Sequence, residues 1–253
     1  VDDAEQALDL LRKLSRDDHA DVAVEALLKL LLHDEVTEPD RLLAYLNDPA
    51  LETTLGRRVV FLLPRLGEVA QGYLEKLFEH SRASIRAAAV QVYASKFADQ
   101  IDSAVAEKLL RDPSEDVRRA AARLYVNSGQ FDAAALDTMV QSPYDDVRAY
   151  AVTAARRVDR DKARDATMSL LFDGSDKVRS RAIMEIARRK LGDWVTVMEH
   201  SLDDENREIR KAAVRGLLQN NTPKARKLLT EVMQNADDAQ LEKYIRVQMQ
   251  RRQ

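Results

Sequence analysis

Cysteine is absent, which excludes disulfides, thiol nucleophiles and cysteine-based zinc or iron–sulfur centres. That absence does not fix a compartment, and cytoplasm is the default expectation. Glycine (7) and proline (6) are sparse in the 253 residues. The glycines are too scattered to cradle a phosphate, and neither a zinc-binding His-Glu-x-x-His sequence nor a nucleophile elbow occurs. Aromatic residues make up only 5%, with Trp194 the single tryptophan, so there is little on which nucleic-acid bases could stack. No apolar run approaches the roughly 20 residues needed to cross a bilayer, and membrane insertion is not expected. The start, Val1-Asp2-Asp3, lacks the basic and apolar regions of a signal peptide. It also lacks an initiator Met, which suggests a processed chain or a piece of a longer protein.

What remains is a mixture rich in Ala, Leu, Arg, Asp and Glu, 45% apolar and 33% charged, which is a helical composition. Net charge is -3, divided as -6 over residues 1–127 and +3 over residues 128–253. Neither half is a strongly basic nucleic-acid footprint.

One phrase recurs: Ser84-Ile85-Arg86-Ala87-Ala88-Ala89-Val90, then Asp116-Val117-Arg118-Arg119-Ala120-Ala121-Ala122, then Asp146-Val147-Arg148-Ala149-Tyr150-Ala151-Val152. It continues at Val178-Arg179 and Ile209-Arg210, with weaker copies anchored at Val22, Leu55 and Leu241. Successive anchors are 33, 30, 32, 30, 31, 31 and 32 residues apart, the signature of a repeat architecture. In each copy the anchor and the positions four, five and eight later are apolar or small, as in Val117, Ala121, Ala122 and Tyr125, which puts them on one helical face. A second amphipathic segment lies about fifteen residues upstream, as at 104–110, 133–140 and 225–233. Thr37-Glu38-Pro39-Asp40 and Thr222-Pro223 read as capped helix starts, while Asp112-Pro113 and Ser142-Pro143 fall between paired helices. The unit is therefore a helical hairpin. Approximate repeats run 1–35, 36–66, 67–97, 98–128, 129–158, 159–190, 191–221 and 222–253, in a single domain.

The chain here resembles the HEAT-repeat family, in the variant found in phycobilin-lyase-like proteins. The resemblance rests on an Asp six residues before an Arg: Asp112 with Arg118, Asp173 with Arg179, Asp204 with Arg210. It implies an all-α fold, a right-handed α-solenoid (superhelix) of about eight HEAT-like hairpins. In that family such residues pair between adjacent repeats as a ladder, to which Arg148 is added. Arg148 is preceded by Ser142 and Arg86 by His80, while Gly56 and Ala23 stand where the first repeats would carry Arg. A continuous ladder is therefore expected only in the later repeats.

Enzyme readings weaken at the residues. A HEAT-like deoxyhypusine hydroxylase would show His-Glu pairs, but His19, His33, His80 and His200 are followed by Ala, Asp, Ser and Ser. A HEAT-like alkylpurine DNA glycosylase would need several aromatic side chains facing DNA, and Trp194 belongs to a first helix expected to face outward. Tyr93 and Tyr125 share the core position eight after the anchor and read as packing residues. An accessory phycobilin-lyase-like role rests on repeat type alone. Catalytic residues, metal ligands and cofactors are not expected.

In HEAT-like stacks the second helices line the concave face, and positions two, six, nine and ten after each anchor point there. In the first two repeats these are Val24, Leu28, Leu31 and Leu32, then Arg57, Phe61, Pro64 and Arg65. That apolar start, with Val24, Leu28, Leu31 and Phe61, is read as a junction with a preceding repeat or domain, or as a partner site. The later repeats supply Arg119, Arg123, Arg156, Arg157, Arg188, Lys211 and Arg215, a basic stripe that is either solubilising charge paired with neighbours such as Glu185 and Glu208 or a partner site. The expected function is a non-catalytic protein-binding or assembly scaffold whose concave face holds an acidic or amphipathic partner segment. Nucleic-acid binding, including a glycosylase-like role, is the alternative. Oligomeric state cannot be read from the sequence.

Overall fold

Short turns capped by acidic side chains divide the chain into helices. The computed structural model describes residues 2–35, 39–235 and 239–250, and among these every regular element is helical. Contacts divide the chain into two compact units, residues 1–130 and 131–253.

In the first unit α1 (Asp2–Leu14) pairs with α2 (Ala20–Leu32), and α3 (Pro39–Leu46) with α4 (Thr53–Leu62), which runs on into a 3-10 segment, Leu63–Val69. Next come α5 (Ala70–Leu77) with α6 (Ala83–Lys96), and α7 (Ser103–Leu109) with α8 (Glu115–Asn127). Thr37 and Glu38 of the expected capped start lie outside the described residues. In the second unit α9 (Ala133–Val140) pairs with α10 (Asp145–Ala154), α11 (Arg160–Ser169) with α12 (Asp176–Arg189), α13 (Trp194–Leu202) with α14 (Arg207–Asn220), and α15 (Pro223–Asn235) with α16 (Ala239–Gln250). Within each unit the second helix of one pair packs on the second helix of the next: α2 on α4, α4 on α6 and α6 on α8, then α10 on α12, α12 on α14 and α14 on α16. Each unit is thus a stack of helical hairpins.

First helices start where an Asp accepts from a backbone N–H left without an intrahelical partner. Asp102 accepts from Ala104 N at 2.7 Å, Asp132 from Ala135 N at 2.9 Å, Asp159 from Lys162 N at 2.9 Å and Asp193 from Thr196 N at 3.4 Å. Thr222 does the same for Ala225 N at 3.2 Å. Two second helices end on a left-handed residue, Lys190 after α12 and Asn221 after α14. That geometry closes the helix and turns the chain toward the next hairpin.

The core follows the anchor register. Ile85, Val117, Val147, Val178 and Ile209 are all buried, as are the alanines four and five residues after Val117. Tyr93 and Tyr125 are buried too, and their hydroxyls reach back to the first helix of their own hairpin, Tyr93 to Glu75 at 2.8 Å and Tyr125 to Glu107 at 3.1 Å. Burial, followed by the Glu75 contact, pushes the Tyr93 phenol up to about 12. Trp194, expected to face outward, is instead buried at the start of α13, in a cluster with Leu191, Val195 and Met198.

The apolar first end is also corrected. Val24, Leu28 and Leu31 are 0%, 0% and 2% exposed, whereas Phe61 remains 47% exposed. A helical wheel treats positions off the anchor face as open, but α2 is covered by α1, α3, α4 and the 63–69 segment. Three of the four residues read as a junction are therefore core of the first unit.

Small residues set the helix spacing. A Cβ built on Gly216 of α14 would lie 2.7 Å from Ala187 Cβ and 2.8 Å from Met198 Sδ. In most helix interiors Gly→Ala stabilises by about 0.5–1 kcal/mol. Here Gly216→Ala is expected to destabilise the second unit by about 1–3 kcal/mol, because two packed elements must separate. Urea unfolding followed by circular dichroism measures this, and an unchanged or raised midpoint would contradict the close approach.

Candidate functional site

The arginine one residue after the anchors Ile85, Val117, Val147, Val178 and Ile209 reaches over the turn of its own hairpin, donating to the backbone carbonyl six residues earlier. Arg86 donates to His80 O, Arg118 to Asp112 O, Arg148 to Ser142 O and Arg210 to Asp204 O, each at 2.8 Å, and Arg179 donates to Asp173 O at 2.9 Å. Since a carbonyl is the acceptor, His80 or Ser142 serves as well as Asp. The carboxylate at that position does something else: it accepts the N–H two residues on, Ser114 to Asp112 at 2.8 Å, Ser175 to Asp173 at 2.8 Å and Asn206 to Asp204 at 2.7 Å. It also faces the arginine of the preceding hairpin.

Two such rungs form. Arg86 grips Asp112 with Nε and Nη2 at 2.8 Å each, and Arg148 grips Asp173 at 2.6 and 2.9 Å. These bidentate pairs are largely shielded from solvent, which makes them worth more than surface ion pairs. The expectation of a ladder continuous in the later repeats is corrected in part: Arg179 turns to Asp176 of its own helix, and among the described residues no rung joins it to Asp204. One of the two rungs lies in the first unit, where no continuity was expected.

Burial pushes Asp112 up, but the Arg86 fork, the Ser114 N–H and the charges of Arg86 and Arg118 outweigh it and leave its pKa lowered. The Arg148 fork lowers that of Asp173 against the opposing effect of burial.

Where Gly56 stands in place of an arginine, His80 replaces the carboxylate that would have received it. His80 Nδ1 accepts from Arg82 N at 3.1 Å, so its Nε2 is the donor to Leu46 O at 3.0 Å, and Arg82 joins it with Nη1 to Leu51 O at 3.0 Å. Burial, with the nearby charges of Arg82 and Arg86, holds the imidazole below its ordinary pKa.

The basic residues expected on the second helices are all found there or in the turn that follows, but their surroundings differ. In the first unit Arg119 pairs with Glu115 at 2.7 Å and Asp116 at 3.6 Å along its own helix, while Arg123 is exposed and, among the described residues, without an ion-pair partner. The second unit gathers its arginines. A cleft of about 400 Å³ across α10, α12 and α14 is lined by Arg156, Arg181, Arg188 and Arg215, with Thr153, Ser180 and Gln219 as neutral donors. Its one acidic group is Glu185, 5% exposed, held by both nitrogens of Arg156 at 2.9 and 3.0 Å and by Arg188. Among the described residues Arg215 has no ion-pair partner. Arg181 spends one N–H on Ala149 O at 3.2 Å. Beside the cleft Arg189 has its pKa lowered by burial and by the like charges of Arg160 and Arg156. Arg157 is exposed, and Lys211 bonds Glu208 at 2.6 Å and lies 5.8 Å from the Tyr244 ring centre. The paired-charge reading therefore describes Arg119 and Lys211 best, while Arg156 and Arg188 share a single carboxylate. Arg181 was missed because it lies three, not two, residues after its anchor.

Among the described residues no group of three or more His, Asp or Glu side chains is placed to hold a metal ion, and no helix is long and apolar enough to cross a membrane.

Stacked hairpins with arginine-bridged turns define an all-α repeat fold of the HEAT kind. Residues 165–243 match the family model for HEAT repeats. Curated protein sequences contain no significant match. Among solved structures, YibA of Escherichia coli shares the fold at a TM-score of 0.55 and 19% identity, over 98% of this chain and 95% of that one. The CpcE and CpcF complex of phycocyanin lyase from Nostoc sp. aligns at a TM-score of 0.43 and 17% identity, over 94% of each chain. Human deoxyhypusine hydroxylase in complex with glycerol aligns at 0.40 and 15%, over 97% and 96%.

Two outcomes test the turn chemistry. Arg148→Ala is expected to cost about 2–4 kcal/mol, since it strands the shielded Asp173 carboxylate, and Arg148→Lys recovers only part because an ammonium cannot make the fork. Urea denaturation of the three proteins at neutral pH measures both. The His80 pKa is lower folded than unfolded, so the unfolded chain binds more protons as pH falls below the ordinary imidazole value. The stability His80 contributes is complete above that value and is lost as pH falls toward its folded pKa. The urea midpoint is expected to drop between about pH 7 and pH 5, and the drop is expected to be smaller in His80→Gln.

Proposed function

We propose that the protein is a non-catalytic scaffold that holds an acidic segment of a partner protein in the arginine-lined cleft of its second unit. One observation carries this reading: four arginines, from α12, α14 and the 3-10 turn that follows α10, line one cleft against a single carboxylate. Cations crowded along a partly shielded wall leave a positive field that an incoming anion neutralises. Arg156, Arg188 and Arg215 are the contact residues, with Arg157 and Lys211 at the margins. Arg119 and Arg123 form the equivalent face of α8 in the first unit.

The geometry favours peptide over nucleic acid. The cleft contributes Val152 and Met184 as apolar contacts and no aromatic ring on which bases could stack. The net charge of -3 also opposes sequence-independent binding to a polyanion. Stacked helices are about 8–10 Å apart, and an extended segment advances about 3.3 Å per residue, so acidic side chains about three residues apart would meet successive helices.

A fluorescein-labelled peptide with Glu at every third position tests this by anisotropy. Binding is expected to weaken as salt is raised and to fall by about tenfold or more in Arg156→Gln/Arg215→Glu, a change of about 1.4 kcal/mol per tenfold. Gln retains a hydrogen bond to Glu185, and the exposed Arg215 can be replaced without touching the core. Tighter binding of a single-stranded oligonucleotide, or affinity indifferent to the double substitution, would overturn the reading.

A further inference from the structure

A second cleft in the same unit has the opposite character. It opens between the end of α11, α12 and α13, with a volume of about 570 Å³. At 100° per residue, Arg179 and Ile183, which line it, lie on the side of α12 away from Arg181, Glu185 and Arg188. Its wall is apolar, built from Met168, Leu171, Val197 and the buried Ile183 and Ile209. At its mouth, in the 3-10 turn Leu170–Phe172 that follows α11, Phe172 is 89% exposed. No other large apolar side chain among the described residues is as exposed. A ring held out in water beside an apolar cleft is the arrangement of a docking surface.

The rim fixes the sign of what docks. Asp193 and Asp204 line the cleft, and Asp176 and Glu205 continue the acidic border. The one cation among them, Arg179, is already committed to Asp176. Asp193 accepts from Thr196 through side chain and backbone, which lowers its pKa and keeps it charged. Thr196 O engages His200 Nδ1 at 2.8 Å, which leaves Nε2 of that exposed ring toward solvent.

We infer that this cleft docks a basic amphipathic segment of a protein partner. One large apolar side chain of the segment seats against Met168, Leu171 and Val197, its neighbour covers Phe172, and Lys or Arg side chains lie over Asp193, Asp204 and Glu205. A small ligand inside the cleft would leave Phe172 in water, and an acidic segment would face a rim of its own sign. The arginine cleft on the other side of α12 takes the opposite charge, so the unit presents two distinct surfaces.

The probe is a fluorescein-labelled amphipathic peptide of about 14 residues, about four helical turns, with Leu on one face and Lys on the other. The same peptide with Glu for Lys is the control. The Leu/Lys peptide is expected to bind at low salt, and the Leu/Glu peptide at least about tenfold more weakly. Phe172→Ser, at a side chain outside the core, is expected to weaken Leu/Lys binding by about fivefold or more, and Asp193→Asn/Glu205→Gln, which keeps the helix cap, by at least about threefold. Arg215→Glu is expected to leave it unchanged. Equal binding of the two peptides, no effect of Phe172→Ser, or equal loss in Arg215→Glu would overturn the inference. So would self-association that Phe172→Ser abolishes in the absence of peptide binding, because the occupant would then be a second copy of this chain.

Discussion

A two-helix hairpin has an apolar face on each helix and too little of itself to cover both, so it is stable only against a neighbour. Everything else in this chain follows from that constraint. The anchor and the positions four and five after it must be apolar or small, because the next second helix lies against them. Gly216 shows how closely: there is no room for a methyl group between α14 and its neighbours Ala187 and Met198. With the helices fixed at that distance, the turns come close enough for one arginine to serve its own turn and the next. Arg148 holds Ser142 O and the Asp173 carboxylate at once, and Asp173 also caps the N–H of Ser175. The rung is a consequence of the helix spacing more than a cause of it.

The parts of the architecture that repeat were legible in the sequence. The 30 to 33 residue period, the anchor face and the hairpin unit follow from apolar spacing, which local geometry converts directly into faces. What one sequence does not carry is which faces a neighbouring element covers. Val24, Leu28 and Leu31 read as a junction or partner site because a helical wheel has no α1 and no 63–69 segment in it, and Trp194 reads as outward because a wheel of α13 lacks Leu191, which shares its buried cluster. The caps Asp102, Asp132, Asp159 and Asp193 carry a usable signal, an Asp immediately before each short first helix. The ladder is legible only in part. Asp–Arg pairs between adjacent hairpins form at Arg86 with Asp112 and Arg148 with Asp173, but each arginine also bonds a backbone carbonyl of its own turn, a partner that every residue offers and that leaves no mark in the sequence. The side chain six residues before the arginine answers to the preceding hairpin, and His80 is intelligible only beside Gly56.

Charges of one type meet different fates according to depth. Arg86 and Arg148 are shielded, bidentate and structural. Arg119 belongs to an exposed pair along one helix, which contributes little and is screened by salt. Arg156 and Arg188 fall between these, because they meet over a carboxylate that is itself buried. Glu185 therefore has two effects on the proposed site. It offsets the repulsion that would otherwise drive the arginines apart, and it occupies part of the field that a ligand carboxylate would enter. A cleft built this way is preorganised at some cost in affinity, which suits a partner that must also leave.

Helix α12 separates the two clefts, and its packing decides whether they communicate. Ile183, Ile186 and Ala187 are buried in the core of the second unit, and the absent side chain of Gly216 lets α14 rest on Ala187. A helix wedged this way cannot roll toward one cleft without a clash in the core, since close-packed interiors resist small continuous displacements. Linkage between two sites requires that a ligand at one favour a different arrangement at the other. With α12 fixed, the arginine face and the apolar face should fill independently, each set by its own charge. If both proposed clefts bind as inferred, opposite signs on opposite sides of one rigid helix give the unit two separate affinities, and two partner segments would be held together without either altering the grip on the other.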